Sequence, residues 1–209
     1  EKHESEYNLS LLKALGCDVE PATKPRLHIS PEEEQEAARI RREIGLREND
    51  VVVILHPGSG GSSRDWSPKN FGETASRILE KGWKVVVTGG PGEEGIVSEV
   101  VRSASKGVIP LVNRLSLKGL AAFIRSSHVF VSNSTGPLHI AAAVGTPVIA
   151  FFPPILQCSA RRWGPLSDRK IVFEPDRNQC PRCHGGPCEG NDCMDLISVE
   201  QVVEAVLAL

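Results

Sequence analysis

Residues 129–143 read VFVSNSTGPLHIAAA, in which a short apolar run leads through a polar turn into a helical pattern. The run at residues 129–131 has the β-branched and aromatic composition typical of a buried strand. Pro137 falls in the first turn of the helix, where proline is favoured, and the alanines that follow are small enough to pack close to a sheet. We interpret the segment as one strand–turn–helix unit of an α/β fold.

The same unit recurs along the chain. Continuous apolar runs, as expected of parallel strands buried on both faces, occur at residues 51–55, 84–88, 108–112, 148–152 and 171–173. Helical patterns lie between them and open at Ser67-Pro68, Glu93, Ser116 and Ser198. This alternation predicts a Rossmann-like parallel sheet with helices on both faces, and such sheets bind ligands at the carboxyl ends of their strands.

Two regions are predicted to lie outside this core. Residues 1–46 are mostly helical, with a leucine-rich stripe ending at Leu15 and a capping box opening at Ser30. We interpret residues 1–46 as a helical lead-in from an N-terminal domain missing from the chain. Residues 47–209 are then one Rossmann-like domain, which carries a loop rich in Cys, Gly and Pro at residues 175–195.

Composition excludes several classes of protein. With 24 Lys+Arg against 26 Asp+Glu, the 209 residues show no basic excess, and aromatic residues are only 5%, so nucleic-acid binding is not expected. The most apolar stretch, residues 141–156, is interrupted by glycine and prolines and is too short to span a bilayer. The charged start shows no secretory signal and lacks Met, so we expect a fragment of a cytoplasmic protein.

Residues 56–66, HPGSGGSSRDW, form a glycine-rich loop between a predicted strand and the Ser67 helix. Its glycines let backbone amides approach an anion closely, and Ser59 adds a hydroxyl donor. Arg64 would supply charge-assisted hydrogen bonds, each worth roughly 1.5–3 kcal/mol. The loop matches neither the Walker pattern nor the G-x-G-x-x-G fingerprint, so a plain surface turn is the alternative.

Two more turns follow strands of the same predicted sheet. The amides near Ser134, Thr135 and Gly136 precede a helix whose dipole favours a bound anion, and His139 lies close enough to face that ligand or to serve the core. Glu93 and Glu94 follow the Gly-rich turn at residues 89–92. Their carboxylates could accept hydrogen bonds from ribose hydroxyls, or merely stabilise a helix N-terminus. Together the three turns predict a pocket for a nucleoside diphosphate.

These motifs resemble those of glycosyltransferase family 9, the ADP-heptose:lipopolysaccharide heptosyltransferases. The resemblance is carried by the loop at 56–66, TGGPGEE at 88–94, LSL at 115–117, the segment at 132–147 and RWGP at 162–165. It covers nearly the whole chain. It implies the second, donor-binding half of an enzyme with two Rossmann-like halves, the arrangement called GT-B.

The resemblance also implies roles for individual residues. Arg64 would contact phosphate with Ser59 nearby, Leu115 would lie beside adenine, and Glu93 or Glu94 would reach the ribose. The diphosphate would meet Thr135, Gly136 and His139. Many members have Asp where this chain has Ser134. This difference bears on how the sugar hydroxyls are recognised, and so on whether the sugar is heptose.

The implied reaction moves a sugar, heptose in this family, from an ADP-sugar donor to a lipopolysaccharide-core glycolipid, with inversion and without a required metal. The family's acidic base lies in the missing half. We therefore expect no catalytic residue in this chain and no transfer by it alone. The acceptor lipid implies peripheral contact with the inner membrane. Arg161 and Arg162 could attract an anionic acceptor lipid or be solvated surface residues, and Trp163 could line the donor cleft or fill the space between a loop and the sheet.

Four cysteines, Cys180, Cys183, Cys188 and Cys193, follow the spacing C-x₂-C-x₄-C-x₄-C. This pattern fits a structural zinc site, paired disulfides or reduced thiols in a surface loop. Two further functional hypotheses remain at this point. The chain could be a non-catalytic nucleotide-binding module, or a zinc-binding interaction module built on this cluster.

Overall fold

Six strands form the centre of the computed structural model, which describes residues 2–20, 24–61, 64–176 and 192–209. They are β1 (Val52–His56), β2 (Lys84–Gly89), β3 (Ile109–Val112), β4 (Val129–Asn133), β5 (Val148–Phe151) and β6 (Lys170–Phe173). All neighbouring strands pair in parallel, in the order β3-β2-β1-β4-β5-β6. This is the order of a Rossmann sheet, in which the strand order reverses between β1 and β4, and ligands bind at that topological switch point. The predicted α/β fold is confirmed.

Eight α-helices lie in the described residues, and four of them begin at serine caps predicted from the sequence. They are α1 (Glu4–Ala14), α2 (Pro31–Glu43), α3 (Pro68–Glu80), α4 (Glu94–Ser103), α5 (Leu117–Arg125), α6 (Gly136–Val144), α7 (Ala160–Trp163) and α8 (Val199–Ala208). The hydroxyls of Ser30, Ser67, Ser116 and Ser198 each accept a hydrogen bond from a backbone amide of the first turn. Such caps stabilise a helix by about 1 kcal/mol each, which makes these starts readable from local sequence.

The sheet is buried on both faces. Val53 and Leu55 of β1 belong to a core shared with α3, α4 and α8, whereas Val52 and Ile54 belong to a core shared with α2, α5 and α6. This strict alternation along one strand explains why the strand is a continuous apolar run. The last residue, His56, continues the alternation and points to the α5 and α6 side.

The helix α2 packs on the sheet domain, although sequence analysis set residues 1–46 apart from it. Ala37 and Ile40 are buried in the α5 and α6 core, and Ile29 and Leu46 join them. The Glu36 carboxylate accepts hydrogen bonds from the amide and hydroxyl of Ser116 at 3.0 and 2.8 Å. Residues 29–46 therefore pack against the sheet, because α2 covers an apolar face of α5.

The helix α1 differs from α2 because it buries no residue. Leu11 is 66% exposed and Leu15 is 79% exposed. Its N-terminal end is tied to the α7 region, where His3 Nε2 lies 2.9 Å from the Gly164 carbonyl and Arg162 donates to Glu4 at 2.8 Å. Of the predicted leucine stripe, Leu11, Leu12 and Leu15 are exposed and Leu9 is partly buried.

The cysteine-rich segment is described only at its end. Cys180, Cys183 and Cys188 lie outside the described residues, so the zinc, disulfide and thiol alternatives remain predictions. Cys193–Leu196 forms a short 3-10 helix instead of the predicted loop, because Cys193 and Met194 are buried in the core beside α8. Among the described residues, no group of three or more His, Cys, Asp or Glu side chains is placed to hold a metal ion.

None of the helices in the described ranges combines the length and the apolar character needed to cross a membrane.

Candidate functional site

A cavity of about 690 Å³ opens at the carboxyl edge of β1, β2 and β3. Four of the predicted site residues line it together: Ser59, Glu93, Leu115 and Thr135. They come from four separate strand-to-helix turns, which the parallel order brings to one edge of the sheet. A volume of this size lies within the usual range for small-molecule and cofactor sites.

The lining combines apolar and polar groups. Its apolar members are Leu111, Leu115, Leu117, Leu120, Pro91 and Pro137, and its polar side chains include His56, Thr88, Asn113 and Ser116. Asn113 has a positive φ of 54°, a backbone conformation that asparagine tolerates better than most residues. A cavity with this mixture suits a ligand that joins a flat apolar ring to a hydroxylated group.

Glu93, and not Glu94, faces the cavity. The Gly90 amide donates a 2.7 Å hydrogen bond to Glu93 Oε2, which folds the side chain back over the turn. Glu94 is instead bonded by the side chain of Asn113 at 2.5 Å and does not line the cavity. Of the two predicted carboxylates, only Glu93 lines the cavity.

His56 lies at the bottom of the cavity and was not among the predicted site residues. Its Nδ1 is 2.9 Å from Thr88 Oγ1, and its Nε2 is 3.7 Å from Glu93 Oε2. Burial lowers the pKa of His56, and the nearby Glu93 charge opposes that shift in part. The imidazole is therefore neutral at pH 7. Its register partner Ser132 is fully buried, and the Ser132 hydroxyl has no hydrogen-bond partner among the described residues.

The glycine-rich loop is held at both ends by one side chain from β4. Asn133 Oδ1 accepts a hydrogen bond from the Trp66 amide at 2.8 Å, and Asn133 Nδ2 donates to the Pro57 carbonyl at 2.7 Å. The buried Trp66 indole also donates to the Ile197 carbonyl at 3.0 Å. These bonds fix the loop against the carboxyl end of β4 and the start of α8.

Arg64 is not among the residues that line the cavity. Its guanidinium Nη1 lies 3.6 Å from Asp192 Oδ1, and only 15% of its side chain is exposed. Within the described residues, the cavity therefore brings together Ser59, Glu93, Leu115 and Thr135 of the predicted site, but not Arg64. The Asp192 partner comes from the far end of the chain, so local sequence could not reveal it.

Asp65 is a second partly buried carboxyl beside the loop. Its Oδ2 accepts a hydrogen bond from the Ser59 hydroxyl at 2.9 Å, so this hydroxyl already has a partner in the unliganded protein. Burial raises the pKa of Asp65 to about 6, and the charge of Glu93 acts in the same direction. The carboxyl groups of Asp65 and Glu93 therefore lie near enough for their charges to interact.

A second cavity, of about 430 Å³, adjoins the first at Thr135. It is lined by Ser134, Thr135, Gly136 and His139 together with Gln157, Cys158 and Trp163. Thr135 is the N-cap of α6, and its side chain makes no capping hydrogen bond. The amides of the first turn of α6 are the kind of donors that bind anions.

Two aromatic rings shape the second cavity. Burial lowers the pKa of His139, and the nearby His3 lowers it further, so His139 is a neutral donor or acceptor at pH 7. Trp163 donates through Nε1 to the Gln157 carbonyl at 2.9 Å, and the Arg162 guanidinium lies 5.5 Å from its ring centroid. Trp163 therefore lines this cavity while one edge is fixed to the neighbouring turn.

Comparisons with known proteins agree on the family. A family model, glycosyltransferase family 9 (heptosyltransferase), matches residues 1–191. Lipopolysaccharide heptosyltransferase 3 of Escherichia coli is 29% identical over 176 residues, covering 80% of this chain and 48% of that protein. Lipooligosaccharide heptosyltransferase 2 of Haemophilus influenzae is 23% identical, with 88% of this chain and 54% of that protein covered.

Solved structures show the same fold. A glycosyl transferase family 9 protein from Veillonella parvula superposes with a TM-score of 0.84 at 25% identity, covering 99% of this chain and 60% of that one. The Escherichia coli ADP-heptose lipopolysaccharide heptosyltransferase II gives a TM-score of 0.72 at 20% identity, with 91% and 55% covered. The chain thus spans about half to three-fifths of the length of the relatives it matches. On the family match over residues 1–191, this chain belongs to glycosyltransferase family 9, the heptosyltransferase family.

Proposed function

We propose that this chain is the donor-binding half of a glycosyltransferase that moves a sugar, heptose in the first instance, from an ADP-sugar to a lipopolysaccharide-core glycolipid. The observation that carries the proposal is the convergence of four strand-end turns on one cavity of about 690 Å³. Membership of a heptosyltransferase family supports the class of donor and acceptor.

The two adjoining cavities divide the donor between them. Leu115 and the apolar lining of the larger cavity contact the adenine, and Glu93 accepts hydrogen bonds from the ribose. The diphosphate crosses Thr135 to the first turn of α6, and the sugar lies in the smaller cavity with Ser134, Gly136 and His139. The mixed lining of the first cavity and the free amides of α6 fit a base, a ribose and an anion in that order.

Transfer with inversion needs an acceptor hydroxyl to attack the anomeric carbon while the bond from that carbon to the diphosphate oxygen breaks. The departing ADP takes the electron pair and gains negative charge. The α6 N-terminus stabilises this charge as it develops. A base in the other half takes the acceptor proton, and such a group contributes typically ~10²–10⁴-fold. The isolated chain is therefore expected to bind donor without transferring its sugar.

Calorimetric titration of the full chain with ADP, UDP and GDP tests the donor class. We expect ADP to bind, and UDP, whose ring is smaller, to bind more weakly. Glu93→Ala should weaken ADP binding about tenfold or more, since hydrogen bonds to charged groups contribute about 1.5–3 kcal/mol. The matched control Glu94→Ala should change affinity little, because Glu94 faces Asn113. A folded chain that binds none of the three nucleotides would contradict the proposal.

A further inference from the structure

His56 presents one ring nitrogen to the cavity and the other to the sheet. It ends β1 and lines the larger cavity, although only 4% of its side chain is exposed. Thr88 of the neighbouring β2 contacts Nδ1 at 2.9 Å. Nε2 is directed toward Glu93, at 3.7 Å from Oε2.

The partners of the ring assign its tautomer. A carboxylate can only accept, so the proton of the neutral imidazole belongs on Nε2, facing Glu93. Nδ1 then accepts the hydrogen bond of the Thr88 hydroxyl. This assignment is an inference from the partners, and it leaves His56 as a donor at the cavity surface.

The separation between Nε2 and Glu93 Oε2 is too long for a direct hydrogen bond, which spans about 2.7–3.2 Å. Among the residues that the structure describes, Nε2 makes no direct hydrogen bond. A single oxygen atom can lie about 2.8 Å from both atoms, since two such distances exceed the separation. That atom would accept from His56 and donate to Glu93, which is the capacity of a hydroxyl group.

We propose that His56 and Glu93 form a donor–acceptor pair that holds one ribose hydroxyl, so that the chain selects ribonucleotides over deoxyribonucleotides. The inference rests on the proposed donor site and adds His56 to it as a specificity-determining residue. The Gly90 amide fixes Glu93 Oε2, and Thr88 fixes the ring, so both members are oriented before the ligand arrives. Such preorganised polar pairs discriminate strongly, because a ligand without the hydroxyl leaves both groups unpaired.

Titrations with ADP, 2′-deoxy-ADP and 3′-deoxy-ADP measure this selection. One of the deoxynucleotides should bind the wild-type chain about 10- to 100-fold more weakly than ADP, as expected for loss of a hydrogen bond to a charged group. His56→Asn keeps an amide near Nδ1 for Thr88 but has no atom at Nε2. His56→Gln reaches the Nε2 position with an amide donor. We expect the Asn variant to lose most of the discrimination and the Gln variant to keep much of it.

A second measurement does not depend on the variants folding. The ¹⁵N chemical shifts of His56 in the wild-type chain should report a neutral ring protonated at Nε2. Equal discrimination by wild type and His56→Asn, equal binding of all three nucleotides, or a proton on Nδ1 would each overturn the inference. Failure of the wild type to bind ADP would instead overturn the proposed function, so the two failures are distinguishable.

Discussion

Gly58 and the carboxylate of Glu93 are packed with no room for a side chain between them. A Cβ added to Gly58 would lie 1.8 Å from Glu93 Oε1 and 2.3 Å from its Cδ. The loop after β1 and the turn after β2 therefore meet through a backbone and a carboxylate. Glycine leaves room for the Glu93 carboxylate at this position, and its φ is not positive, so a Cβ would act by displacing that carboxylate.

Gly58→Ala should displace the Glu93 carboxylate and weaken ADP binding about tenfold or more, with a smaller loss in the Glu93→Ala background because the two changes act on one contact. Calorimetric titration of the single and double variants measures this coupling. Gly95→Ala is the matched control, because nothing lies within 4 Å of a Cβ at that helical position. Additive losses in the double variant would show that Gly58 and Glu93 act independently.

Asn133→Ala should destabilise the chain by about 2–4 kcal/mol. The substitution leaves the Trp66 amide and the Pro57 carbonyl without their buried partner, and an unsatisfied buried group costs about 1–3 kcal/mol. Urea unfolding measures the change. Asn70→Ala, on the first turn of α3, should stay within about 0.5 kcal/mol of wild type. If the two variants were equally stable, the two Asn133 hydrogen bonds to the glycine-rich loop would not contribute to folding.

The contacts of Asn133 could not be predicted from the sequence, whereas the helix caps and strands could. Caps and apolar runs are local, so Ser30, Ser67 and the strands could be predicted from their own neighbours. The two hydrogen bonds of Asn133 span sequence separations of 67 and 76 positions, and the contact between His56 and Thr88 spans 32. These contacts therefore depend on sheet register. Residue types alone carry no such information.

At the site, the side-chain directions of Glu93 and Arg64 likewise could not be predicted from the sequence. The alternatives Glu93 and Glu94 differ by one residue, and the backbone of the turn decides which one faces the cavity. Arg64 is the one cation in the sequence of the predicted phosphate loop, and it forms an ion pair with Asp192, which follows residues 177–191 in the chain. Identity of the turns was predictable, whereas the direction of each side chain required the packed fold.

Ile40→Ala and Leu11→Ala should have different effects on stability, because α2 is packed in the core and α1 is not. Ile40 of α2 is 1% exposed in the core, so its truncation should cost about 2–5 kcal/mol. Leu11 of α1 is mostly exposed, and its truncation should cost less than about 0.5 kcal/mol. Denaturant unfolding of both variants provides the comparison. A large loss for Leu11→Ala would mean that α1 packs in solution, contrary to its exposure here.

Asp65 makes stability depend on pH with a sign that can be worked out. Burial raises its pKa from 3.8 to about 6, so the folded chain binds this proton more tightly than the unfolded chain. The contribution is present below pH 4 and is lost as pH rises through about 6. A shift of this size corresponds to roughly 3 kcal/mol, which we reduce to about 1–2 kcal/mol because the carboxyl keeps some contact with water.

Asp65→Asn isolates this contribution from opposing groups. Burial lowers the pKa of both His56 and His139, so their ionisation destabilises the folded chain as pH falls below 6.5, which is the opposite slope. The difference in unfolding free energy between Asp65→Asn and wild type cancels the histidine contributions. That difference should move in favour of the variant by about 1–2 kcal/mol between pH 4 and pH 7, measured by guanidinium unfolding. A difference that stays constant over this range would mean that Asp65 ionises as it does in the unfolded chain, and that its carboxyl is not buried beside Ser59.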